Sequence, residues 1–148
     1  MRLVLGHDAA VSQWVASRLP HSIAWGEHRA IGVARDNGAL VFGVVYHHYE
    51  PAYGECEIGA AGERVMWTRR LLQALLAVPF VELGCRRVTA IIGHDNTAGN
   101  DLLRRLGFKR EGCIRHRFAH KQHGAIYGLT RSEFDALCAR LSRARETT

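Results

Sequence analysis

The dipeptide Asn37-Gly38, preceded by Asp36, sits between two runs rich in apolar and β-branched residues, 30–35 and 39–49. A tight two-strand turn needs positive φ at its central positions, and Asn-Gly is the pair that supplies this at least cost. The chain is therefore committed to an antiparallel hairpin. Further along, an apolar run at 55–61 is followed by Trp67, Leu71, Leu72, Leu75 and Leu76 at helical spacing, and then by a second apolar run at 87–92. Strand, helix, strand in that order requires a crossover, which pairs the two strands in parallel. Both kinds of pairing in one chain predict an α/β fold: a mixed, mainly antiparallel central sheet of six to seven strands flanked by about four helices.

The remaining segments fit this plan. A first strand is expected at 2–5, then a helix at 9–19 with Val11, Trp14, Val15 and Leu19 on one face and Asp8 as N-cap. Pro79 should kink or end the central helix, and Gly84 closes that segment. A further helix is expected at 97–106, directing Ala98, Leu102, Leu103 and Leu106 inward, with Gly107 as its left-handed stop. Strands at 109–118 and 125–129 follow. Thr130-Arg131-Ser132-Glu133 then reads as a capping box that opens a last helix carrying Phe134, Leu137, Cys138 and Leu141.

At 148 residues the chain is long enough for one domain spanning 1–148, with a core that needs no disulfide or metal staple. Its 47% apolar and 23% charged residues exclude a disordered chain. The longest apolar stretch, 74–81, is far shorter than the roughly 20 residues of a membrane helix. The first residues are too short for a signal peptide, so the expected location is cytoplasmic. Cys56, Cys85, Cys113 and Cys138 lie far apart with no C-x-x-C, which predicts free thiols and no structural zinc.

The formal charge of +6 falls entirely in the second half: residues 1–74 hold seven basic and seven acidic residues, and 75–148 hold thirteen and seven. An Arg-rich surface of this kind suits an anionic ligand, either a phosphorylated cofactor or a nucleic acid.

The stretch RVTAIIGHDNTAGNDLLRRLGFKREGCIR contains Asn96, then Gly107-Phe108, then Arg110-Glu111-Gly112. With Glu57-Ile58-Gly59 upstream and 125–129 downstream, it resembles the GNAT superfamily of acetyl-CoA-dependent N-acetyltransferases. The likeness is greatest to the branch that acetylates protein N-termini, antibiotics and similar amines. It covers about residues 39–135 and is weaker over the first 38. By itself, Asn96 reads as a helix cap, and Gly107 and Phe108 as a helix stop and its packing partner.

The resemblance implies a splayed parallel pair and acetyl-CoA as co-substrate. It also implies direct attack of a primary amine on the thioester in a ternary complex. Ile58, Gly59 and Ala60 would offer backbone N–H groups to the developing oxyanion. The cofactor's phosphates would sit at a helix N-terminus beside Arg64, Thr68, Arg69 and Arg70. Trp67 and Arg69 replace the small residues usual in the family's phosphate turn, so a side-chain contact from Arg69 or Arg70 would stand in for the backbone cradle. Asn96 would lie near the pantetheine arm, and Asn100 completes the expected cofactor contacts.

Glu57 is the candidate base, acting through water, with a plain surface carboxylate as the competing reading. Leu103 stands where relatives carry a tyrosine acid. Tyr127 or Tyr46 could replace it, or solvent could protonate the departing thiolate.

The histidines read as solvated or substrate-lining side chains, with His94 an alternative proton acceptor to Glu57. Strand alternation should turn His47 and His48 to opposite faces, and His116, His120 and His123 have no acidic or Cys partners at metal-ligand spacing, so no metal is expected. The acceptor is an unidentified amine, on a protein N-terminus or a small molecule. No membrane or nucleic-acid partner is expected, and a homodimer is compatible with the sequence. The alternative from another class is a non-catalytic module of the same fold that binds nucleic acid or the ribosome through its basic half.

Overall fold

The computed structural model describes residues 1–21, 23–63 and 68–146. The chain runs β1 (Arg2–Val4), α1 (Asp8–Arg18), β2 (His28–Ala34), β3 (Leu40–Glu50), β4 (Glu55–Gly62) and α2 (Arg69–Ala77). It continues with β5 (Arg87–Gly93), α3 (Thr97–Arg105), β6 (Lys109–Ile114), β7 (Gly124–Thr130) and α4 (Arg131–Glu146). The strands form one sheet in the order β1-β2-β3-β4-β5-β7-β6. Every pairing is antiparallel except β4 with β5. The Asn-Gly turn and the crossover helix thus produce the architecture expected of them.

Two apolar layers cover the sheet. On one face Leu75, Val78, Phe80, Phe134 and Leu137 from α2, the turn after it and α4 pack on Val44, Tyr46, Val88, Tyr127 and Leu129. On the other, α1 lays Val11 and Val15 against Val45, Ala30 and Trp25. Gly43 permits that approach, because a Cβ there would stand 2.6 Å from the Val15 side chain. Phe80 and Phe134 stack at 4.7 Å, fastening α4 to the turn that follows α2.

Of three local expectations, two are corrected and one, the end of the central helix at Pro79, is met. Asp8 is the first residue of α1, not its cap, and its Oδ1 accepts from the Ala30 N–H at 3.0 Å, tying the helix start to β2. The central helix does end before Pro79, but the backbone passes into a single wide turn over Val78–Glu82, as a residue without an N–H dictates. The sixth strand stops at Ile114 instead of reaching 118, because His116, His120 and Lys121 all take positive φ and fold the chain back. The capping box forms as expected: the Thr130 N–H donates to Glu133 Oε1 at 2.9 Å and the Glu133 N–H to Thr130 Oγ1 at 3.4 Å. All four cysteines are free, with Cys56 and Cys85 buried, Cys138 half-buried and Cys113 exposed.

Candidate functional site

The parallel pair is short. β4 and β5 are in register from Glu55↔Arg87 to Ile58↔Ala90 and then part, although β4 runs on to Gly62 and β5 to Gly93. On its other side β4 stays paired with β3 as far as Gly62. The edge of Gly59, Ala60 and Ala61 that faces β5 therefore has no strand partner among the described residues. Unpaired backbone of this kind needs hydrogen-bond partners from water or a ligand. Ile58, the last paired residue, points into the helix-side core, while Gly59 faces the α1 side, where a Cβ would stand 2.7 Å from the Trp25 ring.

The N-terminus of α2 lies over the β1–β2 end of the sheet, where Thr68, Arg70 and Leu71 share a groove with Arg2, Leu3 and Val33. Thr68 caps it, its Oγ1 accepting from the Leu71 N–H at 3.1 Å. Arg69 is half-buried, and its Nε is sealed from solvent without a hydrogen-bond partner among the described residues. Such an orphan donor is costly unless something accepts from it. Arg70 is exposed and, with Thr68 and Leu71, lines a groove of about 370 Å³ closed on its far side by Arg2 and Leu3. Arg2 was not singled out in the sequence, because only the fold brings β1 across from α2. Arg64 and Trp67 lie outside the described residues.

Asn96 caps α3, its Oδ1 accepting from the Gly99 N–H at 3.0 Å. Asn100 is buried and fully engaged: Nδ2 donates to the carbonyls of Asn96 at 2.7 Å and Gly93 at 3.3 Å, and Oδ1 accepts from the Tyr127 hydroxyl at 2.6 Å. This tie locks α3 to the end of β5. Tyr127 itself has no exposed surface. Its hydroxyl donates to Asn100 Oδ1. Tyr46 is also buried and donates to the Leu75 carbonyl at 2.5 Å, and burial raises its pKa far above the ordinary tyrosine value.

Glu57 is half-buried on the α1 face. Its Oε2 lies 3.5 Å from His48 Nδ1 and 4.0 Å from His47 Nε2. The two imidazoles were expected on opposite faces, and the structure corrects this. His48 takes φ of +49°, and the β3–β4 register breaks between His47 and Glu50. That bulge swings His48 round until the two Nδ1 atoms are 2.9 Å apart. His47 is buried with the Trp25 ring edge-on to it at 4.9 Å. Burial pushes its pKa down to about 4, helped by the neighbouring positive charges of His48, His28 and Arg117. His47 is thus a neutral imidazole near neutral pH.

A seven-stranded mixed sheet that opens between its one parallel pair is the fold of the GNAT N-acetyltransferases. A curated relative, the uncharacterised N-acetyltransferase YoaA of Bacillus subtilis, is 29% identical over 97 residues. That match covers 63% of this chain and 52% of YoaA, so the chain spans about half the length of its relative. Among solved structures, a mutant of the spermidine N-acetyltransferase SpeG from Vibrio cholerae superposes with a TM-score of 0.73 at 13% identity, over 90% of this chain and 97% of that one. A dodecameric form of the same enzyme gives 0.64 at 16% identity, over 74% and 68%. No protein-family model matches the chain. Among the described residues, no helix is long and apolar enough to cross a membrane.

Proposed function

We propose that this chain transfers an acetyl group from acetyl-CoA to a primary amine by direct attack in a ternary complex. The observation that carries the reading is the parting of β4 from β5 after Ile58. It leaves a slot with unpaired backbone donors and acceptors, suited to an extended amide-bearing arm such as pantetheine. The residues that open α2 fit the rest of the co-substrate. The free N–H groups at the start of α2, Thr68, the half-buried guanidinium of Arg69 and the exposed Arg70 offer donors to phosphate. Acetyl-CoA supplies the activated acetyl group as a thioester.

The chain's own contribution is placement, charge and proton transfer. Of the Ile58, Gly59 and Ala60 backbone N–H groups, those that point away from β3 into the slot stabilise negative charge that develops on the carbonyl oxygen. Glu57 takes the proton of the acceptor ammonium, directly or through a water, from the face that Gly59 shares. With Tyr127 and Tyr46 both sealed in the core, the departing thiolate takes its proton from solvent. Asn96 and Asn100 hold the start of α3 beside the slot.

Oligomerisation belongs to the same proposal, since the fold is shared with a dodecameric enzyme. The nucleic-acid alternative is the weaker reading, because several basic groups of the second half are spent inside the molecule. Arg87 pairs with Glu111 at 2.8 Å, Lys109 with Glu133 at 3.0 Å, and Arg131 donates to the Phe80 carbonyl at 2.5 Å.

Calorimetry of acetyl-CoA binding, followed by mass spectrometry of spermidine and peptide acceptors incubated with the protein, tests the function. Saturable binding and a mass gain of one acetyl group are expected. Absence of acetyl-CoA binding, with salt-dependent association to RNA instead, would overturn it.

A further inference from the structure

We propose that His47, His48 and Glu57 form a binding site for a divalent transition-metal ion of the zinc type, with three protein ligands and an open fourth position. Adjacent residues in a regular strand cannot share a ligand, because their side chains leave opposite faces. Here the bulge removes that obstacle. His48 holds a left-handed backbone, a conformation that costs a non-glycine residue of order 1–3 kcal/mol unless its surroundings enforce it. The outcome is two imidazoles on one side of β3, with ring centroids 4.7 Å apart. Glu57 is the cross-strand partner of His47 and brings its carboxylate to the same point.

The donor geometry fits one ion. Ligands about 2.0–2.1 Å from a tetrahedral metal lie about 3.3 Å from one another. The His47–His48 Nδ1 separation is 2.9 Å, and His48 Nδ1 to Glu57 Oε2 is 3.5 Å. One ligand atom from each of the three residues lies within 4.8 Å of the other two. Two imidazole nitrogens and one carboxylate oxygen is a donor set found at zinc centres that keep a position for water.

The surroundings match such a centre as well. His47 is held by the Trp25 edge, which fixes its ring on the buried side. The His48 side chain is 65% exposed, so an ion and its water can enter from solvent. His28, the other cross-strand neighbour of His47, is not a fourth ligand: its ring nitrogens are taken by the Gly26 carbonyl at 2.7 Å and Ser12 Oγ at 2.9 Å. His116 and His123 make a contrast. They stack at 5.4 Å, His123 Nδ1 accepts from the His116 backbone, and no carboxylate joins them in a ligand group among the described residues. On the proposed function, an ion bound at Glu57 occupies the carboxylate that takes the acceptor's proton, so zinc slows acetyl transfer.

The test is calorimetric titration of the untagged, EDTA-treated full chain with zinc chloride, which reads binding without acetyl transfer and so fails independently of the function proposed above. One equivalent is expected to bind with micromolar or tighter affinity. His48→Gly keeps the left-handed backbone and removes only the imidazole, so it should fold as the parent does and bind zinc at least roughly 10-fold more weakly. The double variant His116→Gln/His123→Gln should bind as tightly as the parent. Cobalt(II) should give the visible bands of a four-coordinate centre in the parent and lose them in His48→Gly. No saturable zinc binding by the parent, unchanged affinity in His48→Gly, or loss of affinity in the His116/His123 variant would overturn the site.

Discussion

Glu57 sits one residue before β4 leaves β5, and its carboxylate is the acidic group next to the unpaired edge on the α1 face. If it removes the acceptor's proton, Glu57→Gln keeps fold and acetyl-CoA affinity while the rate drops by roughly 10²–10⁴-fold. The deficit should narrow at high pH, where more of the amine is already neutral. A variant as fast as the parent across the pH range would remove Glu57 from the chemistry. Glu133 is a carboxylate of the opposite kind, one that serves stability. Its hydrogen bond from the Thr130 backbone, and the nearby Lys109, hold its pKa below the ordinary 4.5. The folded state therefore binds this proton less readily than the unfolded chain. The stabilisation is complete above the ordinary value and is lost as pH falls through the lower, folded one. Urea titration of Glu133→Gln should show a loss of about 0.5–2 kcal/mol near neutral pH. Below the carboxylate range parent and variant should converge, and an equal gap at both pH values would show that charge plays no part.

At the scale of elements, α2 shows what local pattern can and cannot reveal. Its apolar stripe was legible because helical spacing is a property of neighbouring residues. Its packing against β1 and β2 was not, since that depends on how distant strands come together. The hairpin at Asn37-Gly38, the parallel pair and the capping box were legible for the same local reason. Some misread features join distant parts of the chain and others are local breaks. Asp8 meets the Ala30 N–H instead of capping, and the His47–His48 bulge hides in what reads as a regular strand. The consequence for α2 is specific. Arg69 stands half-buried at the helix start, so on the proposed function Arg69→Ala should weaken acetyl-CoA binding by roughly 1–3 kcal/mol, the worth of a charge-assisted hydrogen bond. The circular dichroism spectrum should not change, because Thr68 still caps the helix. Unaltered affinity in this variant would place the phosphates elsewhere, with Arg70 and Arg2 the next groups to replace.

For the whole molecule, the split in the sheet creates two ladders that share only a short parallel junction. β1 through β4 form one and β5 through β7 the other, joined over Glu55–Ile58. A ligand lying in the slot bonds to backbone that the protein leaves unpaired, so it should join the two ladders as an added strand would. Two measurements follow from this. At ligand concentrations about 100-fold above Kd, binding to the native state alone adds about 2.7 kcal/mol. For a chain of this size that corresponds to a rise in Tm of roughly 5–10 °C. Hydrogen exchange should locate the effect. Amides of Gly59–Gly62 and of Ile91–Gly93 should gain protection with coenzyme A, while β6, at the sheet edge beyond β7, should change little. If protection instead spread evenly over the sheet, or fell on the 115–122 loop and spared β4, the slot would not be where the co-substrate lies. The class of reaction would then have to be argued from other features of the fold.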